Sequence, residues 1–103
     1  MLDILRELRL LLSLHGHRGQ ENVVAQLIEL WQFDRDGFFK LVKSAEVWGG
    51  AGAVWEVGDL GSDTVPFRYA IIRLAEAMER EQLGSNRSRE IADIFRDWNK
   101  RGV

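Results

Sequence analysis

The sequence predicts an all-α protein, a compact bundle of about five helices interrupted by one glycine-rich central loop. Apolar residues recur at the three-to-four-residue spacing of a helix face through most of the chain. The glycines that break this pattern cluster between such stretches and not inside them. With 103 residues, 46% hydrophobic and 29% charged, the chain can enclose one core without cross-links, so residues 1–103 read as a single helical domain.

Ile4, Leu8, Leu11, Leu12 and His15 share one face of a first helix, which ends near Gly16. Val24, Leu27, Ile28 and Trp31 do the same for a second helix, from about Gln20 to Gln32. The short His-Gly-His-Arg-Gly link between them calls for antiparallel packing. Asp34 is placed to cap a third, shorter helix carrying Phe38, Leu41, Val42 and Ala45. From Trp48 to Gly61 five glycines fall in fourteen residues, a density suited to turns. The rival for 47–57 is a short hairpin pairing Val47-Trp48 with Val54-Trp55-Glu56-Val57. Asp63 or Thr64 can cap a fourth helix, with Pro66 in its first turn, where a missing N–H costs nothing; Phe67, Ile71, Leu74, Ala75 and Met78 face inward and Gly84 closes it. Ser85 or Asn86 opens a fifth, with Ile91, Ile94, Phe95 and Trp98 on its apolar side.

Charge is unevenly spread. Residues 21–63 hold Glu21, Glu29, Asp34, Asp36, Glu46, Glu56, Asp59 and Asp63 against Arg35, Lys40 and Lys43, a balance of −5. Residues 85–103 carry a balance of +2. With a net charge of −2, the chain lacks the basic surface that general nucleic-acid binding needs. The arginines of the last helix are interrupted by acids, and pairs such as Asp97/Arg101 and Arg89/Asp93 fit a solvated helix face. No apolar run approaches the length of a membrane span, and no secretory signal pattern opens the chain. The absence of cysteine suits a reducing compartment, so a cytoplasmic location is expected.

Catalytic groupings are hard to find. His15 and His17 stand two apart, which points them in different directions, and a helical zinc pair needs a spacing of four plus a further ligand. The Gly49, Gly50 and Gly52 stretch lacks the Lys-Ser/Thr of a phosphate loop and is flanked by Glu46, Glu56, Asp59 and Asp63, which repel phosphate. Carboxylate pairs such as Asp34/Asp36 and Glu79/Glu81 read as helix caps and solvated faces, and Ser13 beside His15 lacks a third orienting group. No catalytic, cofactor or metal site is expected, and the chain is not read as an enzyme.

Four tryptophans stand out. Trp31 and Trp98 fall on apolar helix faces, as core residues do. Trp48 and Trp55 flank the glycines; they either cover one end of the core or anchor a partner. The second option makes Trp48, Trp55, Glu56, Asp59 and Asp63 the candidate partner-binding residues.

The run Val47-Trp48-Gly49-Gly50-Ala51-Gly52-Ala53-Val54-Trp55-Glu56 resembles the marker of a family of short, uncharacterised bacterial helical proteins. That marker is an aromatic-Gly-Gly-x-Gly-small-aliphatic-x-acid turn between two N-terminal helices and a C-terminal helical region. Trp55-Glu56 departs from the small polar residue and acid expected there, and the resemblance implies no established activity. Small acidic bacterial proteins of similar build include immunity proteins that neutralise toxin domains, and this analogy suggests a protein-binding module whose acidic centre blocks a basic partner. The alternative is self-association through the first helix, widened by Leu5, Leu10 and Leu14. A third reading, a small-molecule pocket or enzyme site at the glycine turn, has no motif behind it.

Overall fold

The computed structural model describes all 103 residues. Six α-helices follow one another: α1 (Leu2–Leu14), α2 (Arg18–Phe33), α3 (Arg35–Val42), α4 (Ala45–Trp48), α5 (Thr64–Arg80) and α6 (Asn86–Arg101), with one 3₁₀ turn at Gly61–Asp63. No strand forms, so the hairpin option for 47–57 is set aside. Its first residues continue as the short α4, and the chain then runs through turns. The backbone amides of Val54 and Trp55 donate back to the carbonyls of Glu46 and Val47, which holds the loop against α4 without a ladder. No helix is long and apolar enough to cross a membrane.

The helices close on themselves as a ring. α1 packs between α2 and α5, α5 against α6, α6 against α4, and α3 joins α4 to α2. Ion pairs report the directions. Glu7 of α1 meets Arg73 of α5 while His15, at the other end of α1, meets Asp63, so α1 and α5 run antiparallel. Arg89 meets Glu79 near the α5–α6 link while Arg68 reaches Asn99 at the far end, so α5 and α6 do the same. The core inside the ring includes Leu5, Leu8, Leu12, Leu27, Phe38, Trp48, Ile71, Leu74, Met78 and Ile91, all essentially sealed from solvent.

Helix ends follow local chemistry. Asp34 accepts the amide of Gly37 as the cap of α3, and Ser85 and Ser88 satisfy each other's amides in a reciprocal box at the start of α6. Gly16 takes a φ of +73° after α1, the left-handed geometry that favours glycine. Four expectations are corrected. Neither Asp63 nor Thr64 caps α5 with its side chain, because the Thr64 hydroxyl is drawn to Leu60 and Asp59. Gly84 does not close α5; the turn is made earlier by Gln82, at φ +60°. Arg89 pairs with Glu79 and not Asp93, because the antiparallel partner helix brings a carboxylate to it, and Asp93 takes Arg96 instead. Leu5 is fully buried, which removes it from any self-association surface, whereas Leu10 and Leu14 remain mostly exposed.

Candidate functional site

A cleft of about 840 Å³ lies between the 55–61 loop, the first turns of α5 and the last turns of α6. That volume falls within the range that small-ligand sites occupy, roughly 300–1,000 Å³. Its floor is aromatic. Trp55, Phe95 and Trp98 form a continuous series, with ring centroids 6.0 Å apart for the first pair and 5.7 Å for the second. Phe95 and Trp98 reach it because they stand three residues apart on one face of α6, and Trp55 because the loop folds back toward that face.

Two arginines border the rings. Arg87, from the first turn of α6, stands 5.4 Å from the Trp55 ring and donates through Nε to the carbonyl of Trp48 at 2.8 Å. Arg68, from α5, stands 5.1 Å from the Trp98 ring and 5.9 Å from that of Phe95. Its Nη1 donates to Asn99 Oδ1 at 3.3 Å and to the carbonyl of Val103. Every other lysine and arginine of the chain is exposed; Arg68 is half-buried.

The acidic lip is built by the glycine-rich loop. Asp59 Oδ1 accepts the Gly61 amide at 2.8 Å and the Thr64 hydroxyl at 2.9 Å. The Gly61 amide above all, then the Thr64 hydroxyl, holds the Asp59 carboxyl below the ordinary aspartate value of 3.8, with the positive charge of Arg68 adding to the effect and partial desolvation opposing it. Glu56 is exposed on the same rim and has no ion-pair partner.

The five residues singled out from the sequence are therefore divided. Trp55, Glu56 and Asp59 come together on the cleft. Trp48 lies beneath the surface at 2% exposure, with its indole N–H donating to the carbonyl of Val42 at 2.8 Å, so its ring covers the core. Asp63 sits at the end of the 3₁₀ turn, outside the cleft, with Oδ2 2.9 Å from His15 Nε2. Of the three glycines in the 49–52 turn, Gly49 alone is there for close packing: a Cβ would stand 2.5 Å from the Ala45 carbonyl. No group of three His, Asp or Glu residues is close enough to hold a metal ion.

Sequence reasoning missed Arg68, Arg87, Phe95 and Trp98 as members of one site. Phe95 and Trp98 were visible as an aromatic pair on one face, but nothing local reveals that Arg68, about thirty residues earlier, meets them. Comparison with protein-family models, curated proteins and solved structures gave no match.

Proposed function

We propose that this chain is a protein-binding module whose acidic middle region engages a basic partner surface. The observation that carries the reading is where the charge goes unmatched. Of the acids in 21–63, only Glu21 and Asp63 have ion-pair partners, leaving Glu29, Asp34, Asp36, Glu46, Glu56 and Asp59 without one. In α5 and α6, by contrast, Glu76, Glu79, Glu90, Asp93 and Asp97 are all paired. Even against Arg35, Lys40 and Lys43, which are also unpaired, the stretch keeps an excess of negative charge, and such an excess speeds encounter with a positive surface and discriminates against acidic partners. Trp55, half-buried at the edge of this region, offers an aromatic anchor of the kind that supplies affinity once charges have steered the approach.

The partner class that fits is a toxin domain with a basic active-site cleft, which the module would cover as an immunity protein in the cytoplasm. Coexpression with the products of neighbouring genes tests this. A growth arrest caused by one of them and relieved by this chain supports the reading, and relief should weaken when Glu46, Glu56 and Asp59 are changed together to lysine. If no neighbour product is toxic, or the triple charge reversal protects as well as the natural sequence, the reading fails.

A second reading, self-association, has its own observation. Leu10 and Leu14, one turn apart on α1, are 58% and 66% exposed. Sedimentation that shows a monomer at high concentration eliminates it.

A further inference from the structure

The geometry points to a small-molecule site in the aromatic cleft, one that takes a neutral, electron-rich aromatic ring bearing an N–H donor, as indole does. The inference goes beyond the basic-partner reading and does not rest on it.

The charges that line the cleft cancel. Glu56 and Asp59 line it together with Arg68 and Arg87, two acids with two bases. Both bases have polar partners within the chain. Arg68 donates through Nη1 to Asn99 Oδ1 and to the oxygen of Val103, while Arg87 donates to the Trp48 carbonyl and pairs with Glu90 at 3.6 Å. An anionic guest therefore finds no guanidinium in want of a first partner, and it meets two rim carboxylates. A cationic guest meets two arginines. Taking either ion out of water costs more than taking a neutral ring, so the balance favours a guest without net charge.

What the arginines still offer is a flat surface. Their hydrogen bonds run in the plane of the guanidinium, which leaves its faces to stack. Arg87 lies 5.4 Å from the Trp55 ring and Arg68 5.1 Å from that of Trp98, so stacking of this kind already occurs at the cleft. A guest ring rich in electrons continues the same alternation of cation and π face. Trp55, Phe95 and Trp98, with centroids 6.0 Å and 5.7 Å apart, give it aromatic faces and edges to pack on.

The carboxylates select the edge of the guest. Asp59 accepts from Gly61 and Thr64 through Oδ1 alone, and the exposed side chain of Glu56 has no partner in the chain, so Asp59 Oδ2 and the Glu56 oxygens stand ready as acceptors on the rim. The hydrogen-bearing edge of an aromatic ring is its positive side, and an N–H on that edge makes a charge-assisted hydrogen bond to a carboxylate. An indole-like ring meets both demands at once, its face toward a guanidinium and its N–H toward a carboxylate. A plain hydrocarbon ring meets only the first.

Calorimetric titration of the whole protein with indole tests the proposal, alongside benzofuran, which has oxygen in place of the N–H, and two charged analogues, indole-3-carboxylate and indol-3-ylmethylammonium. Indole should bind at millimolar concentration or below and move the side-chain N–H resonances of Trp55 and Trp98 while leaving that of Trp48 in place. Benzofuran should bind about fivefold more weakly, the value of one hydrogen bond. Each charged analogue should bind at least about threefold more weakly than indole. Arg87→Met, at an exposed position, should lower indole affinity about threefold through the lost stacking, with Arg87→Lys intermediate. Should Arg87→Met fail to fold, Arg87→Lys read against the natural sequence makes the comparison. Of Glu56→Gln and Asp59→Asn, tested singly, one should narrow the gap between indole and benzofuran. Absence of heat and of resonance shifts at millimolar indole overturns the proposal. So does a charged analogue or benzofuran that binds as tightly as indole, an Arg87 variant that folds and binds unchanged, or a gap that neither rim variant narrows.

Discussion

His15 Nε2 lies 2.9 Å from Asp63 Oδ2, joining the C-terminal end of α1 to the 3₁₀ turn forty-eight residues later. The contact fixes where the long loop re-enters the bundle, immediately before α5. Both side chains are about one-third exposed, so solvent screens the pair and its worth is limited to under about 1 kcal/mol. His15→Ala and Asp63→Ala should each lower stability within that limit in urea unfolding. Because each variant removes the same contact, the double variant should cost less than the sum of the two. Additive losses would mean that the two residues act separately.

Trp48 and Trp55 flank the same glycines but should behave differently. Trp48 fills the core and satisfies the Val42 carbonyl. Trp48→Ala should cost about 3–5 kcal/mol through the cavity it leaves, and Trp48→Phe about 1–3 kcal/mol, largely because the carbonyl loses its donor. Trp55 is half-buried, and its N–H meets the Gly49 carbonyl at 2.6 Å at the edge of the cleft. Trp55→Ala should cost less than half as much as Trp48→Ala, as denaturant midpoints will show.

That contrast marks where sequence reading ends. Helical periodicity placed the main helices within a few residues, because apolar side chains at i, i+3, i+4 and i+7 have one way to be buried together. The Asp34 cap was legible for the same reason, being a local hydrogen bond to a residue three positions on. Whether Trp48 or Trp55 faces water depends instead on how α4 meets α6, and no local pattern reports that. The Arg68–Trp98 contact is invisible for an equivalent reason. Arg68 reads as an ordinary polar position after Phe67 until the antiparallel α5–α6 pairing brings the rings to it. The short α4 was missed because four residues are too few for a period to show.

The glycines sort by mechanism. Gly49→Ala should destabilise by about 1–3 kcal/mol, because its Cβ would press on the Ala45 carbonyl, which belongs to backbone and cannot swing aside. Gly50→Ala meets nothing within 4 Å and has no left-handed φ, so its change should stay within about 0.5 kcal/mol. Gly52→Ala has space but a φ of +87°, which should cost about 1–2 kcal/mol in backbone strain. Gln82 carries the opposite mismatch, a side chain at φ +60°, and Gln82→Gly should raise stability by roughly 1 kcal/mol. Thermal or urea unfolding of the four variants checks the order; Gly50→Ala matching Gly49→Ala would refute the steric account.

Asp59 gives the loop a pH dependence whose sign follows from its hydrogen bonds. The amide of Gly61 and the hydroxyl of Thr64 favour the ionised carboxyl, so its folded-state pKa lies below the ordinary 3.8. Stabilisation from this group is therefore complete above the unfolded value and is lost as pH falls through the lower folded value. Asp59→Ala should lower the urea midpoint at neutral pH, and the gap to the natural sequence should narrow between neutral and strongly acidic pH, as the carboxyl takes up its proton in the folded state as well. Asp59→Asn keeps an acceptor for Gly61 without the charge, so it should fall between the two at neutral pH and show the weaker acid dependence. A gap equally wide at both pH values would assign the whole effect of Asp59 to neutral hydrogen bonding and none to its charge.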